Sequence, residues 1–244
     1  MAREKTAALI VVGNEILSGK VADTNSTFLA RELRLLGATL RRVLVIPDEL
    51  DAIAESIRAY HPAYDIVFTS GGVGPTHDDV TIAGIAQGLG RSVVRDPYLE
   101  GKLREFFGDN VNDARLKMAE VVSGTELLFE GGVTFPTLKV ENIYILPGIP
   151  EIFRTKFQAI GPRFAADPFY LRVIYSSEPE STIAVMLNQT LESFPDLMLG
   201  SYPKLNDPEY RVRITMESKD RDYVERAFVK LMELLPPRAV VRTE

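Results

Sequence analysis

The apolar run Ile66-Val67-Phe68 passes directly into Thr69-Ser-Gly-Gly-Val-Gly-Pro-Thr-His-Asp-Asp-Val-Thr81, and an apolar-periodic segment then continues to Leu89. A strand, a glycine-rich turn and a helix start, in that order, account for the three patterns. Gly71, Gly72 and Gly74 permit positive φ and close approach of a ligand to the backbone, while Pro75 stiffens the turn. This arrangement belongs to the carboxyl edge of an α/β sheet, where backbone N–H groups meet an anion. Asp78 and Asp79 beside such a cradle point to a divalent metal or to proton transfer on a phosphorylated molecule. The plainer alternative is that either aspartate caps the helix that follows.

The flanking sequence extends the same architecture. Thr6–Val12 is a continuous apolar run, the pattern of a strand buried on both faces. Asp23-Thr-Asn-Ser-Thr offers N-caps to a helical stripe of Phe28, Leu29, Leu33 and Leu36 that Gly37 closes. A strand over Leu40–Ile46, a helix over Leu50–Tyr60 and a strand over Ile66–Thr69 follow, so right-handed βαβ crossovers and a mainly parallel sheet are expected. Further on, the pattern predicts a strand at Ser92–Arg95 and a helix at Pro97–Phe107. It also predicts a helix running from Asp113 through Glu120 and a strand at Asn142–Leu146. A boundary is expected at Ala165-Ala-Asp-Pro168, giving domains of 1–165 and 168–244. The second domain reads as βαββα: Tyr170–Ser176, Glu180–Ser193, Met198–Tyr202, Tyr210–Met216 and a last helix from Arg221 to about Leu235.

Composition narrows the chemistry. The chain has 244 residues, a formal charge of -6 and no cysteine, so disulfides and thiolate metal sites are excluded. His61 and His77 are its only histidines, which speaks against a multi-histidine zinc site. The acidic balance argues against a broad nucleic-acid surface but leaves room for a local phosphate nest. No apolar stretch reaches membrane-spanning length, and Met1-Ala-Arg-Glu-Lys-Thr runs straight into a strand instead of a signal sequence. A cytoplasmic protein with no membrane partner is therefore expected.

Other strand ends should converge on the glycine turn, because ligands of open parallel sheets bind at the strands' carboxyl ends. Gly13-Asn-Glu-Ile-Leu-Ser-Gly19 follows the first strand and offers Glu15 as a metal or ligand contact. Asp23 and Asn25 read locally as helix caps, and Asp48 in Ile46-Pro-Asp-Glu49 as an acidic turn on the functional edge. Pro147-Gly-Ile-Pro-Glu151 closes a fourth strand end as a rigid turn. His77 lies inside the glycine motif; Arg211 and Arg213 alternate along a strand with one solvated face.

Together these motifs resemble the MoaB/Mog-like molybdopterin-binding domain, and more closely its CinA-like branch, which includes CinA proteins and the N-terminal domain of animal FAD synthase. The likeness rests on Thr69–Thr81, Gly13–Gly19 with Asp23-Thr-Asn25, Pro147–Glu151 and Gly200-Ser-Tyr-Pro203, and it spans essentially the whole chain. It implies a three-layer α/β/α domain followed by a small KH-like α+β domain, and a pocket for a pterin- or adenine-containing phosphorylated compound. The implied activity is metal-dependent hydrolysis of the diphosphate in ADP-ribose or FAD. Alternatives are adenylylation or binding of molybdopterin, or a non-catalytic binding module. The implied substrate contacts are Gly13, Glu15, Asn25, Ser70, Gly71, Gly72, Gly74, Pro75, Thr76, Pro147, Gly148 and Pro150. Asp79, Asp48 and Asp78 are the implied catalytic residues, and Asp79 with Glu15 would hold Mg²⁺ or Co²⁺, Mn²⁺ or Ni²⁺; no organic cofactor is implied. The resemblance also implies a homodimer, with a trimer as the alternative. The chain departs from the CinA-like pattern at Asn14, where aspartate is usual, and at Gly131-Gly-Val-Thr-Phe-Pro-Thr137, which stands closer to the FAD-synthase branch. It is expected to act as a stand-alone module, without the deamidase domain of CinA or the catalytic domain of FAD synthase.

Overall fold

A computed structural model describes residues 5–244, so the reading of Met1–Glu4 lies outside the described residues. The chain divides into two units, one ending at Ala166 and the other spanning Asp167–Glu244.

In the first unit the elements are β1 (Thr6–Val12), α1 (Asn14–Leu17), α2 (Asn25–Leu35), β2 (Thr39–Ile46), α3 (Leu50–Tyr60), β3 (Ile66–Ser70) and α4 (Thr81–Leu89). They continue with β4 (Val93–Arg95), α5 (Pro97–Phe107), α6 (Asp113–Lys117), β5 (Glu120–Val122), β6 (Glu126–Leu128), β7 (Thr137–Val140), β8 (Ile143–Leu146) and α7 (Pro150–Ile160). Six strands form one sheet in the order β2-β1-β3-β8-β7-β6. β1 pairs in parallel with β2 and β3, and β3 with β8, whereas β7 and β6 add antiparallel edges. The sheet is therefore mixed and mainly parallel.

Strand parity builds the three layers. On β1, Ala7, Leu9 and Val11 join Leu29 and Leu33 of α2 and Phe153 and Phe157 of α7 in one core. Ile10 and Val12 point the other way, into a core with Ile53 and Ile57 of α3 and Ile85 of α4. Because successive side chains alternate across the pleat, β1 must be apolar throughout, as its sequence is. Phe68 is fully buried and packs edge-on against Phe164 with ring centroids 5.1 Å apart. Each such burial contributes roughly 1.5–3 kcal/mol. Gly84 and Gly88 let α4 lie close to α3, since a Cβ at either would come within 2.6 or 2.8 Å of Ile53 or Ile57.

A smaller core of Leu99, Leu103, Leu116 and Val121 gathers α5, α6 and β5. Here the structure corrects the expected helix from Asp113 to Glu120. The cap is Asn112, whose side chain accepts from Arg115 N at 2.9 Å, and the helix stops at Lys117. Glu120, Val121 and Val122 instead pair antiparallel with Arg95, Val94 and Val93, a placement that suits β-branched residues.

The second unit comprises β9 (Tyr170–Ser176), α8 (Glu180–Ser193), β10 (Met198–Pro203), β11 (Val212–Ser218), α9 (Arg221–Leu234) and β12 (Val240–Thr243). Its sheet runs β10-β11-β9-β12, antiparallel throughout. Both helices bury Ile183, Leu187, Val224 and Leu231 against Ile174, Ile214 and Met216, one face of the sheet. The expected βαββα layer thus gains a final strand, β12, on the free edge of β9. Among the described residues no helix is long and apolar enough to cross a membrane.

Candidate functional site

The glycine turn leaves β3 at Ser70 and is clamped at once. Gly71 N donates to Leu146 O at 3.2 Å, and the Thr81 hydroxyl donates back to Gly71 O at 2.9 Å. Thr81 N donates to Gly72 O at 3.0 Å. Gly71 and Gly72 adopt φ of +101° and +64°, and a Cβ at either would fall 2.2 Å from Val12 O or from Thr81 Oγ1. No side chain could be accommodated at these two positions. The N–H groups of Gly72, Val73 and Gly74 have no protein acceptor among the described residues. They sit beside the N-terminus of α4, whose first turn presents further unpaired N–H groups. This is an anion cradle.

The two aspartates take different parts, and neither caps α4. Val80 occupies the N-cap position with no side-chain cap bond. Asp79 closes the turn: its Oδ2 accepts from Thr76 N at 2.8 Å and from the Thr76 hydroxyl at 2.5 Å, and its Oδ1 is not engaged. Asp78, His77, Pro75 and Thr76 are exposed, and the His77 side chain stands 99% in solvent. Asp79 shares a pocket with Gly72, Val73, Gly74 and Lys117. Lys117 ends α6 and donates from Nζ to Thr76 O at 2.5 Å, which brings an ammonium to the mouth of the cradle. Sequence reasoning passed over Lys117. It lies 41 residues from Thr76 within a segment that carries no motif.

A second pocket lies across Gly71, lined by Glu15, Asn25, Ser70, Gly148 and Pro150. Asn25 is 6% exposed and is the first residue of α2; Thr24 holds the N-cap position without a side-chain bond, and Asp23 Oδ1 just before it accepts from Ser26 N at 3.0 Å. The Asn25 amide instead donates to Ser70 Oγ at 3.0 Å and to Gly148 O at 2.9 Å, tying two strand ends together. Its Oδ1 is buried without a partner. An orphaned buried acceptor costs about 1–3 kcal/mol, which a ligand donor would recover. Gly148 is held close to Gly71, as a Cβ there would lie 3.3 Å from Gly71 Cα, and Pro150 opens α7. Pro147 lines a further, apolar cavity. The Glu15 carboxylate folds back over Gly13, to within 2.6 Å of where a Cβ there would be. Asp48 accepts from Asn14 N at 2.7 Å and so orders the loop after β1.

Of the sequence-selected residues, Glu15, Asn25, Ser70, Gly148 and Pro150 line one pocket and Gly72, Gly74 and Asp79 another, whereas Gly13, Asp48, Pro75, Thr76 and Asp78 line neither and Pro147 lines the apolar cavity. Among the described residues no three His, Cys, Asp or Glu side chains converge as a metal cage. Mg²⁺ does not need one, since it commonly uses one or two carboxylates together with substrate phosphates. Asp79 Oδ1, beside the cradle, is the carboxylate oxygen that suits that role.

A mainly parallel sheet between helical layers, with a glycine turn and carboxylates at its edge, defines an α/β/α domain of the MoaB/Mog-like kind. The chain belongs to the family described as "Probable molybdopterin binding domain", which matches residues 8–166, and "FAD synthase, middle domain" matches residues 168–244. A protein of Archaeoglobus fulgidus is 34% identical over 93% of this chain and 96% of its own length. The "Probable FAD synthase" of Caenorhabditis elegans is 32% identical over 96% of this chain, which spans 51% of that protein. Among solved structures, the CinA protein of Thermoplasma acidophilum superposes with a TM-score of 0.61 and 32% identity, covering 66% of this chain and 98% of that one.

Proposed function

We propose that the protein hydrolyses the diphosphate of a nucleotide-type compound such as FAD or ADP-ribose with a divalent metal. The observation that carries this reading is the cradle itself, three unpaired N–H groups flanked by Asp79 and Lys117. One phosphate rests on Gly72, Val73 and Gly74, with the α4 N-terminus and Lys117 offsetting its charge. Water attacks that phosphorus, the bridging P–O bond breaks, and two monophosphates leave. Asp79 Oδ1 is the protein ligand offered to a divalent ion entering with the diphosphate; such an ion supplies charge neutralisation at the phosphorus. Asn25 Oδ1 accepts from a hydroxyl or amine of the same substrate, which satisfies its buried lone pairs. The substrate class also accords with the resemblance to the FAD synthase middle domain.

The test is release of monophosphates from FAD and from ADP-ribose, with Mg²⁺, Mn²⁺, Co²⁺ or Ni²⁺. Asp79→Asn is expected to lower kcat at least 100-fold while leaving the fold intact. Full activity in that variant refutes the assignment. The molybdopterin-binding family favours a second reading, adenylylation of a pterin on the same cradle. ATP-dependent adenylyl transfer would identify it, and tight ligand binding with no product under any metal would mark a binding module.

A further inference from the structure

Beside the cradle lies a cavity of about 260 Å³, and its lining is almost wholly apolar. Leu99 and Leu103 of α5 supply part of it, together with Met118, Leu138 and Ile145. At its rim Phe106, 69% exposed, meets Phe135 edge-on with ring centroids 6.1 Å apart. Among the described residues that line it, Lys156 alone carries a titratable group. The hydrolysis described above makes no use of this lysine, yet an amine in an apolar pocket is a nucleophile once its lone pair is free.

The hydrogen bonds at Nζ suit the neutral amine. Lys156 reaches in from α7, and its Nζ donates to Phe135 O at 2.8 Å and to Pro136 O at 2.6 Å. An ammonium has three donors, whereas the amine has two and a lone pair. Two carbonyls therefore satisfy the amine in full. The third proton of an ammonium finds no protein acceptor here, and holding that charge against an apolar wall is costly. Burial lowers the pKa to about 8, so roughly one-tenth of the molecules carry the neutral amine even at pH 7. With both protons held by the backbone, the lone pair takes the direction left about the nitrogen, turned from the two carbonyls, and the cavity is the space open beside it.

We propose that Lys156 is an imine-forming nucleophile and that the cavity takes an aldehyde with an aromatic or alkyl body. The Nζ lone pair bonds to the carbonyl carbon as the C=O π pair moves to oxygen. A proton then passes from nitrogen to that oxygen, giving a carbinolamine. Water leaves and a C=N bond remains, so the step needs no oxidant or reductant. A proton from solvent makes the product an iminium, whose one N–H stays on a backbone carbonyl while both carbonyl oxygens face its charge. The lining selects the rest of the molecule: it offers contacts to a hydrocarbon body and leaves a hydroxylated one without partners. This role of Lys156 lies outside the diphosphate reading and does not depend on it.

Benzaldehyde, which has the reactive group and the apolar body, provides the test, with glyceraldehyde as its hydroxylated counterpart. Each is incubated with the protein and sodium cyanoborohydride at about pH 8, and the reduced adducts are located by peptide mass spectrometry. In wild type, Lys156 is expected to be benzylated at least about tenfold faster than any other lysine, at a rate that saturates with benzaldehyde. With glyceraldehyde that preference should be several-fold smaller. Ile152 lines the cavity, is 43% exposed and lies one turn before Lys156 on α7. Ile152→Trp fills the space beside Nζ and keeps the amine; it should slow benzylation of Lys156 at least about tenfold, with the other lysines as internal control and folding checked by circular dichroism. Should that variant fail to fold, the two aldehydes on wild type decide. Labelling of Lys156 no faster than of other lysines, or unchanged in folded Ile152→Trp, overturns the proposal. So does equal preference with both aldehydes, which would mark an amine of low pKa and no binding cavity. Cleavage of FAD or ADP-ribose, or its absence, bears on the diphosphatase reading alone.

Discussion

Lys156 makes a prediction that needs no ligand. Its ammonium is half-buried, and desolvation lowers its pKa from 10.5 to about 8. The unfolded chain therefore holds this proton more tightly than the folded chain. Below pH 8 both states are protonated, and the folded state carries the whole cost of the buried charge. Between about pH 8 and 10.5 only the unfolded state binds the proton, so stability rises with pH across that window. At about 1.4 kcal/mol per factor of ten, and with some discount for partial exposure, the rise is roughly 2–3 kcal/mol. Lys156→Met removes this contribution and keeps most of the volume, although it also strips a donor from Phe135 O and Pro136 O. That second effect is nearly independent of pH, so the quantity to follow is the change in the difference between the two proteins. Urea unfolding by circular dichroism at pH 7, 8, 9 and 10 should show wild type gaining on the variant above pH 8 and not below it. A ¹³C titration of the Lys156 side chain should place its midpoint near 8. A midpoint above 10, or a wild-type-to-variant difference flat across that range, would refute the reasoning.

Two further perturbations test the walls of the site. Gly71→Ala places a Cβ 2.2 Å from Val12 O at a φ of +101°; it is expected to cost at least about 2 kcal/mol in thermal unfolding. An unchanged melting temperature would show that the turn can relax. Asn25→Leu leaves Ser70 Oγ and Gly148 O without their donor; a loss of roughly 2–4 kcal/mol is expected from two broken buried bonds. A change below about 0.5 kcal/mol would mean that water takes over both.

Much of the architecture was legible because it is written locally. Thr6–Val12 had to be a central strand, as the six apolar residues in succession from Ala7 suit two buried faces. Pro97 announced the start of α5, which the Asp96 side chain caps by accepting from Leu99 N at 3.0 Å. The short strands β5, β6 and β7 were missed because three or four residues carry too little periodicity. β12, at the end of the chain, is defined by its partner β9 and not by its own pattern. In the site, the glycine turn and its aspartates were visible, but their roles were not. Capping by Asp79 was a fair local reading, but the turn folds Thr76, three residues back, onto its carboxylate and leaves Val80 at the N-cap, an equally local bond that the sequence does not tell from a cap. Asn25 likewise reads as a cap until Ser70 and Gly148 are seen beside it. Lys117, Lys156 and the aromatic cavity had no sequence signal, since they are assembled from segments that meet only in the fold.

The clasp between Thr81 and the two glycines has a kinetic meaning. Strand end and helix start are joined by two hydrogen bonds before any anion arrives. The cradle is thus preorganised, and a phosphate need not order the loop as it binds. Association should then be a single fast step with little change in backbone protection around residues 71–81, and affinity differences among ligands should lie in how quickly they leave.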